Sequence, residues 1–164
     1  MRPNGGYLVL KTFQQIMSKT ADYWTTPTES AEHPDRIIMV TGRRNVEKFI
    51  DNPRFRFRIE VIWNYNGGSN GMPDRPTSEL MEQVQEVFEK EFTRDPVAVL
   101  TGIYTGDNRR DWVFYTSSLH IFQRKLNEML APFPTLPLQF EAEEDPAWEE
   151  YREMKEATEI SDEE

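Results

Sequence analysis

Between residues 54 and 65 apolar and polar positions alternate: Phe55, Phe57, Ile59, Val61, Trp63 and Tyr65 take every second place, and Arg54, Arg56, Arg58, Glu60, Ile62 and Asn64 the places between. A period of two puts the first set on one face, so this stretch predicts a strand with one buried side. Before it, Ala21 to Thr26 is rich in aromatic and β-branched residues and stops at Pro27, and Arg36 to Arg43 holds Ile37, Ile38, Met39, Val40 and Thr41. Both read as strands. Earlier still, Leu10, Phe13 and Met17 recur at helical spacing and predict a short helix from Tyr7 to Ser18.

Past Tyr65 the segment NGGSNGMPDRP is dense in turn formers and predicts a loop. Thr77 or Ser78 then caps a helix whose stripe is Leu80, Val84, Val87, Phe88 and Phe92, with Glu79 and Glu82 near its positive end; it stops near Arg94, before Pro96. Val97 to Thr105, the turn Gly106-Asp107-Asn108 and Arg110 to Thr116 predict a hairpin. Ser117 or Ser118 opens a second helix through Leu119, Phe122, Leu126 and Met129, ending at Pro132. Leu136, Leu138, Phe140 and Ala142 then alternate with polar residues, and Pro137 within that run places the strand at a sheet edge. Asp145-Pro146 reads as a cap followed by a first-turn proline, which predicts a terminal helix from Ala147 to Ala157.

From 54 to 143 the order is β-α-β-β-α-β, so the expected fold class is α+β, a ferredoxin-like α/β sandwich preceded by two extra strands and followed by a terminal helix. Phe57, Ile59, Val61, Val84, Phe88, Leu126 and Phe140 should share one core, with the arginine side of the first long strand facing outward. Residues 1–20 form an N-terminal segment, 21–157 one domain, and 158–164 an acidic disordered tail.

Composition changes this picture in one place. Net charge is −10 over 164 residues, yet residues 141–164 alone carry twelve acids against two bases, which leaves the remainder neutral. The acidity therefore belongs to one end, and a local basic patch survives: Arg43, Arg44, Lys48, Arg54, Arg56 and Arg58 against Glu47 and Asp51. No apolar run approaches the roughly 20 residues of a membrane span. With no cysteine and no leader-like start, a soluble cytoplasmic protein is expected.

Several stretches together resemble an uncharacterised bacterial family, domain of unknown function 695: Asp22-Tyr23-Trp24-Thr25-Thr26, Asn70-Gly71-Met72-Pro73-Asp74, Gly102-Ile103-Tyr104-Thr105 through Arg110-Asp111-Trp112-Val113-Phe114-Tyr115, and Asp145-Pro146-Ala147-Trp148-Glu149-Glu150-Tyr151. The resemblance spans nearly the whole chain and implies fold boundaries but no catalytic residue. Members also look like the small acidic ferredoxin-like proteins that inhibit the RNA-degrading endonuclease E, so a nuclease is one protein partner that fold-level analogy suggests.

No residue is nominated as catalytic, cofactor-binding or metal-ligating. His33 and His120 lie far apart with no ligand spacing around them. The loop Gly67 to Gly71 lacks the lysine and register of a phosphate loop and reads as a connector. Glu60 and Asp111 could meet on neighbouring strands, as an acid/base pair or, by default, as salt-bridge partners. Arg54, Arg56 and Arg58 fall at about 7 Å intervals on one strand face, an anion strip that either meets a partner or is neutralised by the acidic end. Trp112 and Phe114 stand where stacking aromatics would serve single-strand binding, with the core as the plainer place for them. Trp148 and Tyr151 share one face of the terminal helix, for docking on the domain or for a partner. The expected function is a non-catalytic binding or regulatory module acting through protein contacts. A single-stranded nucleic-acid binder and a carboxylate-based hydrolase follow in that order.

Overall fold

The computed structural model describes residues 23–159. The expected helix at Tyr7 to Ser18 and the end of the expected tail, 160–164, lie outside the described residues. Among the described residues the fold is α+β, with a six-stranded antiparallel sheet in the order β1-β2-β4-β5-β3-β6 and four helices. The strands are β1 Tyr23–Glu29, β2 Ile37–Arg43, β3 Phe57–Asn64, β4 Ala98–Gly106, β5 Arg109–Thr116 and β6 Leu138–Glu144; the helices are α1 Glu47–Ile50, α2 Arg75–Arg94, α3 Leu119–Leu130 and α4 Glu149–Thr158.

The two long helices cover one face. Met81, Val84, Phe88 and Phe92 of α2 and Phe122, Leu126 and Met129 of α3 pack on Ile59, Val61, Trp63, Trp112 and Phe114 of the sheet, all buried. Phe88 meets Trp112 and Phe114 edge-on, with ring centroids 5.3 Å apart in each pair. A bulge between Leu100 and Gly102 keeps this face apolar. It inserts Thr101, so Ala98 and Leu100 before it and Ile103 after it all reach the helices.

The opposite face carries a second core of Trp24, Val40, Val46, Phe55, Val99 and Tyr115, closed by Trp148, Tyr151 and Met154 around α4. Gly42 is required here, because a Cβ on it would stand 2.1 Å from Trp24 Cζ2. The hairpin of β4 and β5 turns through Asp107 and Asn108, both left-handed, at φ 54° and 71°. Asn108 accepts from the Gly67 N–H at 2.9 Å and donates its own N–H to the Gly71 carbonyl at 2.9 Å, so the glycine-rich loop clamps the turn.

Local chemistry explains where these elements depart from the alternation pattern. β1 runs through Pro27 to Glu29, because an edge strand tolerates a residue with no N–H. Asp74 caps α2, its carboxylate accepting from the Thr77 N–H at 2.9 Å, since Pro76 already occupies the first turn. Ser118 caps α3 through the Ile121 N–H. α1 is too short to leave a periodic signal, and it supplies Phe49 and Ile50 to the second core. Phe57 is only half-buried and Phe140, expected in the core, is 46% exposed at the sheet edge. α4 begins at Glu149, two residues later than expected, and extends through Thr158, which is buried rather than part of a tail.

Candidate functional site

The polar chemistry of the molecule gathers on the α4 side of the sheet and around its two edges. α4 is anchored by Asp145, whose carboxylate accepts from the Glu149 and Glu150 N–H groups at 2.9 and 3.0 Å and from the Tyr115 hydroxyl at 2.7 Å. The cap therefore acts from four residues ahead of the helix, across a turn in which Trp148 is left-handed at φ 56°. That turn lays the Trp148 ring on Tyr115, centroids 3.8 Å apart, and sends its indole N–H to the Phe55 carbonyl at 2.8 Å. Trp148 is fully buried, and Tyr151 is 5% exposed with its hydroxyl donating to the Arg43 carbonyl. Burial pushes the Tyr151 hydroxyl up to about 12. Both aromatics thus dock on the sheet and present no surface to a partner.

The expected row of three arginines does not form. β3 starts at Phe57, and the chain before it turns, sending Phe55 into the second core rather than to the helix face. Arg54 and Arg56 are exposed and lie outside the strand; only Arg58 belongs to it, and it is 8% exposed. Arg54 and Arg56 do come together with Pro53, Phe57 and Ser117 around a hollow of about 460 Å³ beside the start of α3.

Acids of β6, together with Glu60 of β3 itself, pair with Arg56 and Arg58. Arg56 pairs with Glu144, and Arg58 Nη1 reaches Glu60 at 2.8 Å and Glu143 at 3.4 Å. Burial alone would lower the Arg58 pKa, but the hydrogen bond and charge of Glu60 outweigh it and hold the guanidinium above its ordinary value. Glu60 and Asp111 share Arg109, which lies 2.6 Å from Asp111 and 4.0 Å from Glu60. The two carboxylates therefore sit as salt-bridge partners. Trp112 and Phe114 are fully buried under α2 and α3, where no base could stack on them. His33 and His120 are both exposed, and among the described residues no group of three His, Cys, Asp or Glu could hold a metal ion.

Two further features matter. The first is the edge of β6, which Pro137 foretold, although the exposure of Phe140 on it was not foreseen. Among the described residues it pairs with β3 alone, none of its seven residues is buried, and it displays Phe140 beside Glu141, Glu143 and Glu144. The second is a groove of about 370 Å³ on the helix-covered side, between α2 and the part of the sheet that β2 adds. Arg110 lies in it. The signal for Arg110 was present in the sequence, a charged residue in register with Trp112 and Phe114 on the aromatic side of its strand.

The model of the family of unknown function DUF695 matches residues 22–154, and the chain belongs to that family. The match covers β1 to β6 and most of α4, so every feature above lies inside it or at its border. Comparison with curated proteins and with solved structures returned no match.

Proposed function

We propose that this DUF695 member is a non-catalytic binding module that holds a protein partner by strand addition along β6. The observation that carries the reading is the open edge of β6 with Phe140 46% exposed. A free edge is a row of unpaired N–H and C=O groups that an extended peptide can complete. The opposite edge is blunted by Pro27. Three glutamates along the β6 segment oppose pairing with a second copy of the same strand and favour a partner rich in lysine or arginine with one apolar residue to cover Phe140.

The framework for this edge is, in our reading, a ferredoxin-like sandwich. Support comes from the order β4-β5-β3-β6, from antiparallel pairing throughout and from both long helices lying on one face. Cytoplasmic residence is part of the same proposal, resting on a chain without cysteine.

The test uses a synthetic decapeptide of alternating lysine and valine, and the same peptide with a central proline. The first should bind with micromolar affinity, shift backbone amide resonances of 138–144, and weaken as salt rises. Phe140→Asp, at an exposed position, should abolish binding with the melting temperature unchanged. Equal binding of the proline peptide, or shifts away from β6, would refute strand addition.

A further inference from the structure

We propose that the groove between α2 and the β2–β4 floor is a binding site for a small carboxylate with an apolar body, recognised by Arg110. This goes beyond strand addition and is independent of it, because the groove lies toward the opposite edge of the sheet from β6.

The register builds the floor. Met39, Thr105 and Arg110 face one another across β2, β4 and β5, and the next row holds Thr41, Ile103 and Trp112. α2 covers Trp112, and its second half reaches β1 through Glu89 and Tyr23, while between Ser78, Glu82 and Gln85 of its first half and the first row a hollow remains, with Met72 at one side. The hollow is of the size that small-ligand pockets take. Apolar side chains of Met39, Met72 and Ile103 would receive an alkyl body.

Arg110 supplies the specific contact. Its Nε donates to the Thr105 hydroxyl at 2.8 Å and its guanidinium lies 5.8 Å from the Trp112 ring centroid, while no carboxylate of the described residues stands within ion-pair distance. Arg36 and Arg58, which are also largely shielded, each hold an acid, Asp107 and Glu60. Burial holds the Arg110 pKa below the usual arginine value, with only the more distant Glu82 and Tyr65 acting against it. An arginine withdrawn from water with no described acid in ion-pair contact is the group that a planar carboxylate completes, through two parallel N–H···O bonds.

Charge also selects the anion. Glu82 lines the same groove and would repel a phosphate dianion more than a carboxylate monoanion.

The full chain, labelled with ¹³C at the methionine methyl groups, reports on the site directly. Titration with 4-methylpentanoate should shift Met39 and Met72 and leave Met129 and Met154, which lie in the two cores, in place. The neutral 4-methylpentanol and inorganic phosphate, at the same concentration, should leave all four unmoved. Arg110→Gln should weaken the carboxylate at least tenfold. Absence of shifts at 10-fold excess over millimolar carboxylate, equal shifts with the alcohol, a stronger response to phosphate, or movement of Met129 and Met154 alike would each overturn the assignment. The alcohol comparison uses the unaltered protein and stands even if Arg110→Gln folds poorly.

Discussion

The two faces of the sheet are buried by different means. Under α2 and α3 the contact is mainly carbon on carbon: Phe88, Phe92, Trp112, Phe114 and Phe122 make one aromatic cluster, with the Trp112 indole N–H donating to Gln85 of α2 at 3.0 Å. On the other face Trp24, Tyr115, Trp148, Tyr151 and Asp145 each combine burial with a directed hydrogen bond, and beyond α4 the sheet is overlaid by Arg58, Glu60, Arg109 and Asp111. A purely apolar face tolerates small shifts of its helices, since dispersion and burial have no direction. A face held by buried polar pairs does not, because a bond moved out of reach leaves a desolvated donor or acceptor behind. The first face, with fifteen buried apolar residues against nine on the second among those described, holds the larger share of the burial, and the second fixes where α4 and β1 sit.

The largest expected effect tests the apolar side. Phe88→Ala, at a position with no exposure, should cost about 3–5 kcal/mol in urea denaturation. A loss below about 1 kcal/mol would mean that the helix-covered face is not the main store of burial energy.

Next in size is the end of α4. Thr158 accepts from the Trp24 indole N–H at 2.8 Å, and Glu159 pairs with Arg44. Ending the chain after Ala157 strands the Trp24 donor and should cost about 1–3 kcal/mol, whereas ending it after Glu159 should leave the denaturation midpoint where it is. Equal midpoints for the two truncations would remove the distinction between directed and undirected burial.

The smallest effect is a change of slope with pH. Burial pushes the Tyr104 hydroxyl up to about 12, on the side of the sheet where it faces Arg58, Glu60, Glu150 and Asp111. In the unfolded chain it ionises near 10. The native state thus holds a proton that the unfolded state has released between these values, so stability is fully present below about pH 10 and falls as pH rises toward 12. Tyr104→Phe should leave the neutral-pH midpoint nearly unchanged and flatten the decline across that window. An unchanged slope would place Tyr104 in water.

How far the sequence could be read follows the same division. Among the described residues, alternation located β3 and β6 and helical spacing located α2 and α3, because a one-sided apolar face repeats at 2 or 3.6 residues wherever carbon packing decides, while β-branched runs, turn chemistry and the Asp145-Pro146 cap located β1, β2, the β4–β5 hairpin and α4. Alternation failed where a single residue reverses the parity: at the turn before β3, which sends Phe55 to the other side, and at Thr101 in its bulge. Phe140 continued the alternation of β6 but has no helix above it, since neighbours and not pattern decide burial at an edge. The fate of the arginines lay still further off. Arg56 is answered by Glu144, and Arg58 by Glu143 as well as by its neighbour Glu60, the two acids of β6 lying more than eighty residues later in the chain. A charge balance could suggest that pairing, and only the register of β3 with β6 establishes it.

The bond between Trp24 and Thr158 spans 134 residues, and this sets an order of events during synthesis. At roughly 5–20 residues per second, the hairpin of β1 and β2 waits on the order of ten seconds for α4 to arrive. The aromatic core under α2 and α3 draws on residues up to Met129 and can close earlier. Trp24, Val40 and Tyr115 stay uncovered in the meantime. A chain interrupted before Trp148 would keep that apolar patch open to chaperones and proteases, so burial of Trp24 certifies that translation has passed α4.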